Sequence, residues 1–392
     1  MRTWKRALTI SVVAALALGA CSSSGTGTGS PAVTTAPSTG ASAGSGASTE
    51  PSTGAATKVR LQLKWVAQAQ FAGYYAAVDQ GYYADEGLDV QILLGGPDID
   101  PVRVVASDGA EFGTTWVPAM LAAREGGADV VDISQVFQRS GTLEVSFTDK
   151  NITKPEDLKG KKVGSWLGGN EPELFAALNK VSINPDDQTQ VQVIKQDFDM
   201  SGLLSGNLDA AQAMIYNEYA QVLEAKDPAT GNLYQPTDLN VISFNDVGTG
   251  MLQDAIFARD AYLKTPGNED VAVKFLTASL KGWAYCRDNA QSCVDIVLKN
   301  GSTLGASHQA WQMNEVNGLI WPSPNGVGAL DATAWSQTAE IATTYKVLKA
   351  APTEGAFRTD LNQKALDAIG TSVDTKGSSW VKGVVDLKEG GN

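Results

Sequence analysis

The amino-acid sequence predicts an α/β protein of two lobes joined by two crossing strands. Three observations carry this. From residue 58 on, stretches of two-residue apolar alternation take turns with stretches of helical spacing, the pattern of βα units over a largely parallel sheet. The alternation comes in two sets, one before about residue 138 and one after it. Beyond residue 258 the chain turns helical, a long return that can pack back on the first lobe. At roughly 100–200 residues per domain, a length of 392 residues also suits two domains.

Val59, Leu61, Leu63 and Trp65 share one face of a strand at 58–65. Phe71, Tyr74, Tyr75 and Val78 recur at helical spacing, and Gly81 closes that helix. A strand at 88–94 ends in the turn Gly95-Gly96-Pro97-Asp98. A helix from 102, a short strand at 111–116, a helix at 118–125 and a strand at 130–136 complete the first set. In the second, a strand at 162–166 precedes Asn170-x-x-Glu173, which reads as a capping box with Pro172 in the first turn. The helix it opens runs to about 180. Strands follow at 191–193 and 210–215, then a helix from Asn217, then strands at 241–244 and 253–258. Helices are expected at 268–288, 291–299, 306–320 and 331–348. Crossings near 136–140 and 243–248 divide the body into 58–138 plus 246–392 as lobe one and 139–245 as lobe two. Ligands of α/β sheets sit beyond the carboxyl ends of strands, so the lobes should face each other across a cleft.

The N-terminus gives an address. Arg2, Lys5 and Arg6 precede an apolar run of 12 residues, Ala7 to Leu18. That run is too short for a membrane helix, which takes about 20 residues, and fits a signal peptide over 1–20. Leu18-Gly19-Ala20-Cys21 resembles a bacterial lipoprotein box, which implies cleavage before Cys21 and lipidation of its thiol. The alternative is an ordinary signal peptide with an incidental Cys. Residues 22–57 are almost entirely Ser, Gly, Thr, Ala and Pro, a composition that cannot bury apolar surface and serves as a flexible tether. The expected location is extracytoplasmic, with the lipid as the only hold on the membrane.

Charge and composition exclude several classes. Against 30 Lys and Arg stand 43 Asp and Glu, a net charge of −13, and no basic cluster offers a nucleic-acid face. Removal of the signal peptide takes three cations and no acid, leaving −16, so anionic lipid heads do not hold the body. A single histidine, His308, argues against a His-based zinc site and a Ser-His-Asp hydrolase, and three Cys cannot supply a four-thiolate cluster. Two of the three, Cys286 and Cys293, flank Asp288-Asn289-Ala290-Gln291-Ser292, which can end one helix and cap the next. In an unbroken helix they would stand about 10 Å apart, too far to bond. With the helix broken and an oxidising compartment, the favoured reading is a structural disulfide; the alternative is two buried free thiols.

The run LQLKWVAQAQFAGYYAAVDQGYYADEGLDV at 61–90 resembles the opening of substrate-binding proteins of ABC importers, in the group of thiamine-pyrimidine-precursor and riboflavin binders. DLKGKKVG (157–164), LDAAQAMIYNEYAQ (208–221) and FNDVG (244–248) strengthen the resemblance, which covers roughly 58–350. It implies a periplasmic-binding-protein-like fold of type II, two lobes with a two-strand hinge. It also implies a monomer that takes a small planar heterocycle and hands it to permease and ATPase subunits. The same segments resemble fungal thiamine pyrimidine synthases, which work on a histidine and pyridoxal phosphate with a Lys, a His and a Cys-rich iron-binding run. Their Lys would fall on Thr115, their His on Ala119 and the Cys-rich run near Thr249 to Gln253, where none of the needed side chains is present. The expectation is therefore a binding protein with no catalytic residue, cofactor or metal.

A planar ring is held by aromatic faces and a few edge hydrogen bonds. Trp65, Trp116 and Trp166 end strands; Gln68 and Gln70 follow the first strand and can present both donor and acceptor; Tyr216 and Glu218 follow another strand. Glu171 stands at a helix start, and Gln138 and Asp246 lie by the crossings, with Arg139 and Asn245 beside them. Tyr74 and Tyr75, and Trp283, Trp311, Trp321 and Trp335 in the helical return, read as core; Asn170 and Asn217 read as helix caps. With no basic pair among the site candidates, a neutral or amine-bearing heterocycle suits the site better than an oxyanion. The choice between a thiamine pyrimidine precursor and riboflavin stays open.

Overall fold

The structure is a computed structural model and describes residues 55–392. The signal-peptide, lipidation and tether readings, Cys21 included, lie outside the described residues apart from the last three of the tether.

Among the described residues, ten strands form two mixed five-stranded sheets. The first holds β1 (Thr57–Gln62), β2 (Leu88–Leu93), β3 (Phe112–Thr115), β4 (Val131–Gln135) and, returning late in the chain, β10 (Ala255–Ala258). The second holds β5 (Thr142–Phe147), β6 (Lys162–Ser165), β7 (Gln192–Lys195), β8 (Ala210–Met214) and β9 (Leu239–Ser243). Their orders, β2-β1-β3-β10-β4 and β7-β6-β8-β5-β9, repeat one plan. In each, three parallel strands are followed by one antiparallel strand, β10 or β5, delivered by the chain as it changes sheet. The sheets are thus parallel only in part. The missed strand, β5, is TLEVSF; with Glu144 buried as fully as its apolar neighbours, it carries no alternation to read.

The chain changes sheet at 136–141 and at 244–254. Neither segment is paired as a ladder strand. Side chains tie them together: Gln253 accepts from Gly141 N at 2.9 Å and donates to Thr142 Oγ1 at 2.5 Å, while Asn245 Nδ2 donates to Ser140 O at 2.8 Å. Glu173, on the helix Pro172–Lys180, reaches the second crossing and accepts from Met251 N at 2.5 Å. The capping box expected of Asn170 and Glu173 therefore does not form. The cap position falls to Glu171, and Glu173 is buried at the crossings instead.

The helical return packs on the first sheet. Asn268–Asp288, Ala290–Lys299 and Ala306–Ile320 follow the expected spans, Ala332–Thr344 is shorter than expected, and Asp360–Ile369 is an addition. The helix Asn268–Asp288 lies so close to Ala72–Asp79 that a Cβ on Gly282 would stand 2.0 Å from Gly73 O. Only glycine permits that approach. Tyr74 meets Trp283 edge-on at 5.5 Å inside this interface, which places it in the core. Cys286 and Cys293 are joined, with Cα atoms 5.5 Å apart, where Asn289 separates the first two helices of the return.

Candidate functional site

A cleft of about 570 Å³ opens where the carboxyl ends of the parallel strands of both sheets face each other. The walls follow from strand ends. Lys64 and Trp65 come just after β1, Trp116 directly after β3, Trp166 directly after β6, Phe198 three residues after β7, and Tyr216 two residues after β8. A side chain just past a strand end is aimed by a rigid sheet yet free of its ladder, so it can face a ligand. Gln68, Gln70, Asn170, Asn217 and Glu218 add polar groups to the wall, with Asp98, Asp100, Thr115 and Lys195. In the loop 167–169, Leu167, Gly168 and Gly169 all have left-handed backbone, with φ of 59°, 64° and 104°, which turns the chain sharply over the cleft.

Of the residues singled out from the sequence, Trp65, Gln68, Gln70, Trp116, Trp166, Tyr216 and Glu218 line this cleft. Three others do not. Gln138 spends its amide on the carbonyls of Gln135 and Ala329, at 2.6 and 3.2 Å, where the first crossing leaves backbone acceptors unpaired. Glu171 folds back to accept from Gly169 N at 2.8 Å and braces the loop from behind. Asp246 is exposed in the turn after β9, an edge strand whose end opens to solvent. Arg139 and Asn245 likewise serve backbone carbonyls, of Gly318 and of Ser140.

The cleft is not free of cations. Lys64 and Lys195 both line it. The alternation expected at 58–65 puts Lys64 on the face opposite Leu63 and Trp65, and the sequence singled it out for no role. The strand ends at Gln62, however, so the alternation no longer governs position 64. Its ammonium donates to Asn170 Oδ1 at 2.8 Å, from one lobe to the other, and stands 4.2 Å from the centre of the Trp116 ring. Desolvation brings its pKa down to about 8, against the support of Asp254, Glu171 and Asp100. Across the mouth, the Trp65 and Phe198 rings are 4.6 Å apart and tilted by 48°.

Two hydrogen-bond chains set the polar groups. Gln70 Nε2 donates to Asp254 Oδ2 at 2.7 Å, and Gln68 Nε2 donates to Gln70 Oε1 at 2.7 Å. Burial pushes Asp254 up to about 6, against the bond from Gln70 and the charge of Lys64. On the other lobe Glu218 accepts from Met214 N at 2.9 Å and Asn217 Nδ2 at 2.8 Å, and burial raises its pKa to about 7. His308 lies behind this pair, with Nε2 2.9 Å from Asn217 Oδ1 and Nδ1 2.8 Å from Glu224 Oε1. Asn217 is thus both a wall residue and the link to the lone histidine, a role that its place at a helix start did not reveal.

Two sheets of one plan, two crossings and a cleft between strand ends define the periplasmic-binding-protein fold. The chain belongs to the family described as NMT1/THI5 like, which it matches over residues 68–292. It is 25% identical over 287 residues to the formylaminopyrimidine-binding protein of Halalkalibacterium halodurans, covering 71% of this chain and 82% of that protein. It is also 25% identical over 358 residues to the riboflavin-binding protein RibY of Chloroflexus aurantiacus, covering 86% and 91%. A shorter match, 23% over 233 residues and 58% of this chain against 66% of the relative, is to the 4-amino-5-hydroxymethyl-2-methylpyrimidine phosphate synthase of Aspergillus parasiticus. Among solved structures, the aliphatic sulphonate binding protein SsuA of Escherichia coli superposes with a TM-score of 0.55 at 16% identity, over 79% of this chain and 91% of that one.

Proposed function

We propose that this chain is the extracytoplasmic substrate-binding lipoprotein of an ABC importer, taking a planar N-heterocycle between its lobes and delivering it to a permease. The observation that carries the reading is the cleft itself. Indole rings from both lobes, Trp65 and Trp116 on one and Trp166 on the other, surround a space of about 570 Å³ alongside amide, carboxylate and ammonium groups, a composition that suits a flat ring with a polar edge. The likeness, over 71% and 86% of this chain, to proteins named for binding a formylaminopyrimidine and riboflavin supports the same class.

The synthase reading has less support. The match is partial, and Thr115 and Ala119, where the resemblance puts the Lys and His of the synthases, line the cleft with a hydroxyl and a methyl. At 249–253 stand Thr, Gly, Met, Leu and Gln, with no thiol among them. Mass spectrometry of ligand released from the purified protein, followed by calorimetry with the ligand found, tests the proposal. A heterocycle bound one to one is expected; stoichiometric pyridoxal phosphate or iron would overturn it. The anchor is tested separately: Cys21→Ser should move the protein from the membrane fraction to the soluble one with ligand affinity unchanged.

A further inference from the structure

His308 is the chain's one histidine and is sealed at 1% exposure. It rises from the first turn of the helix Ala306–Ile320 of the return, yet both of its ring nitrogens serve the second lobe. Nδ1 lies 2.8 Å from Glu224 Oε1 and Nε2 lies 2.9 Å from Asn217 Oδ1. The C-terminal segment closes over this group: Gly390 N donates to Glu224 O at 3.1 Å, and a Cβ on Gly391 would stand 2.9 Å from that of His308. Polar groups shut away from water hold their pairing firmly, because a misplaced donor or acceptor has no solvent to turn to.

Asn217 occupies the cap position of the helix Glu218–Leu223 but makes no capping bond. Its amide is spent between His308 and Glu218. Glu218 accepts from Met214 N at 2.9 Å through one oxygen and from Asn217 Nδ2 at 2.8 Å through the other. With its amino group on Glu218, Asn217 turns its carbonyl to His308, so Nε2 of His308 carries a proton. The same row can be paired in reverse, with every bond turned round. That needs His308 without its Nε2 proton and Glu218 with a proton of its own. The arrangement adopted therefore couples a donor on His308 to a carboxylate at Glu218. Burial raises Glu218 to about 7, against the two bonds it accepts and the charge of His308.

We propose that His308 is a positioning residue of the binding site, which from the first lobe holds Asn217 in one orientation and thereby presents Glu218 to the ligand as a hydrogen-bond acceptor. The proposal rests on a ligand in the cleft that Asn217 and Glu218 line, and goes beyond that reading by assigning a role to a residue outside the wall.

Since there is one histidine, NMR of the protein with isotope-labelled histidine reads both ring nitrogens without ambiguity. In the ligand-free protein Nε2 should carry a proton. Glu218→Gln should reverse the row. The new amide keeps its carbonyl on Met214 N and offers its amino group to Asn217, and Asn217 turns over to donate to His308. His308 then releases its Nε2 proton to solvent and keeps the one on Nδ1, facing Glu224. A bare Nε2 in the unaltered protein, or a histidine spectrum unmoved by Glu218→Gln, would overturn the proposal. Calorimetry with two probes, riboflavin and 4-amino-5-hydroxymethyl-2-methylpyrimidine, reads the consequence for binding. His308→Leu should weaken whichever probe binds by about 5- to 10-fold, and His308→Gln, which keeps a donor for Asn217, should restore most of the loss. In the Glu218→Gln protein His308→Leu should cost no further affinity, because the lock is already gone. Additive losses would make His308 a fold-stabilising residue only and overturn the proposal. The spectra need neither His308 variant, so they decide even if those do not fold. If neither probe binds, the heterocycle reading is lost, while the spectra still decide the lock.

Discussion

Trp65 and Glu173 show how much a single side chain is asked to do here. Trp65 reaches across the mouth to Phe198, so a ring entering the cleft meets an aromatic face on each side of the opening. Loss of one such face should cost on the order of 1–3 kcal/mol, so Trp65→Ala should weaken ligand binding about 10- to 100-fold by calorimetry while the melting temperature stays close to wild type. Unchanged affinity would remove Trp65 from the site. Glu173 acts on stability. Burial at the crossings raises its pKa from 4.5 to about 7, and burial does the same to Glu218 and to Asp132. A carboxyl whose folded pKa lies above its unfolded one binds its proton more tightly in the native state. The stability it contributes is fully present below the unfolded value and is lost as pH rises through the folded one. The melting temperature should therefore fall between about pH 5 and pH 7.5, and Glu173→Gln should make that fall shallower. A melting temperature that rises across this window would contradict the burial of these groups. At this scale the sequence was legible where residue type and strand end coincide, as for Trp116, Trp166 and Tyr216. It was misleading where a side chain turns away to serve backbone carbonyls, as Gln138 and Arg139 do. It was silent where position depends on a strand ending early, as for Lys64.

Elements were easier to read than side chains, because amphipathic spacing reports burial directly and burial decides most of them. The helix expected at 268–288 runs from Asn268 to Asp288, and that at 306–320 from Ala306 to Ile320. The exceptions have causes. Strand β5 buries a carboxylate on the same strand as its apolar residues and shows no pattern, and the capping box at 170–173 loses its Glu to a more demanding partner, the unpaired Met251 N. The junction between Asn268–Asp288 and Ala290–Lys299 carries its own prediction. The one-residue break brings the Cys286 and Cys293 Cα atoms to 5.5 Å, a spacing that an unbroken helix could not give. Thiol titration of the unfolded, unreduced protein should find no free thiol at either position. Because the cross-link closes a loop of only a few residues, Cys286→Ser with Cys293→Ser should cost about 2–3 kcal/mol in denaturant unfolding, below the cost of a long-range bridge. Two titratable thiols, or a loss well above that figure, would mean that the junction is held in another way.

At the scale of the molecule, the lobes touch on two sides with different chemistry. Behind the cleft, the helix Ala306–Ile320 of the return grips the second lobe through His308 and through Trp311 Nε1, which donates to Ile215 O at 2.9 Å. These bonds are buried or half-buried and lie beside the crossings, so they suit the fixed side of a rotation. At the mouth the contacts are fewer and wetter: the Lys64 to Asn170 hydrogen bond and the tilted pair of Trp65 and Phe198, with Phe198 over one-third exposed. A ligand that touches both lobes binds the closed arrangement better and shifts the population toward it. Opening must therefore part the mouth and spare the back. Small-angle scattering of the soluble body should show a smaller radius of gyration with saturating ligand than without. Lys64→Met should leave the liganded radius unchanged and enlarge the unliganded one, since it removes the polar tie that favours closure before ligand arrives. Its affinity should drop by about 5- to 10-fold, the expected effect of a lower population of the competent closed form. Gln309→Leu should instead lower thermal stability with little change in either radius, because Gln309 is buried and the hydrogen bond it accepts from Ala69 N at 2.7 Å lies within the first lobe. If saturating ligand leaves the wild-type radius unchanged, or if Lys64→Met binds as tightly as wild type, the mouth contacts are incidental and the cleft does not work by closing.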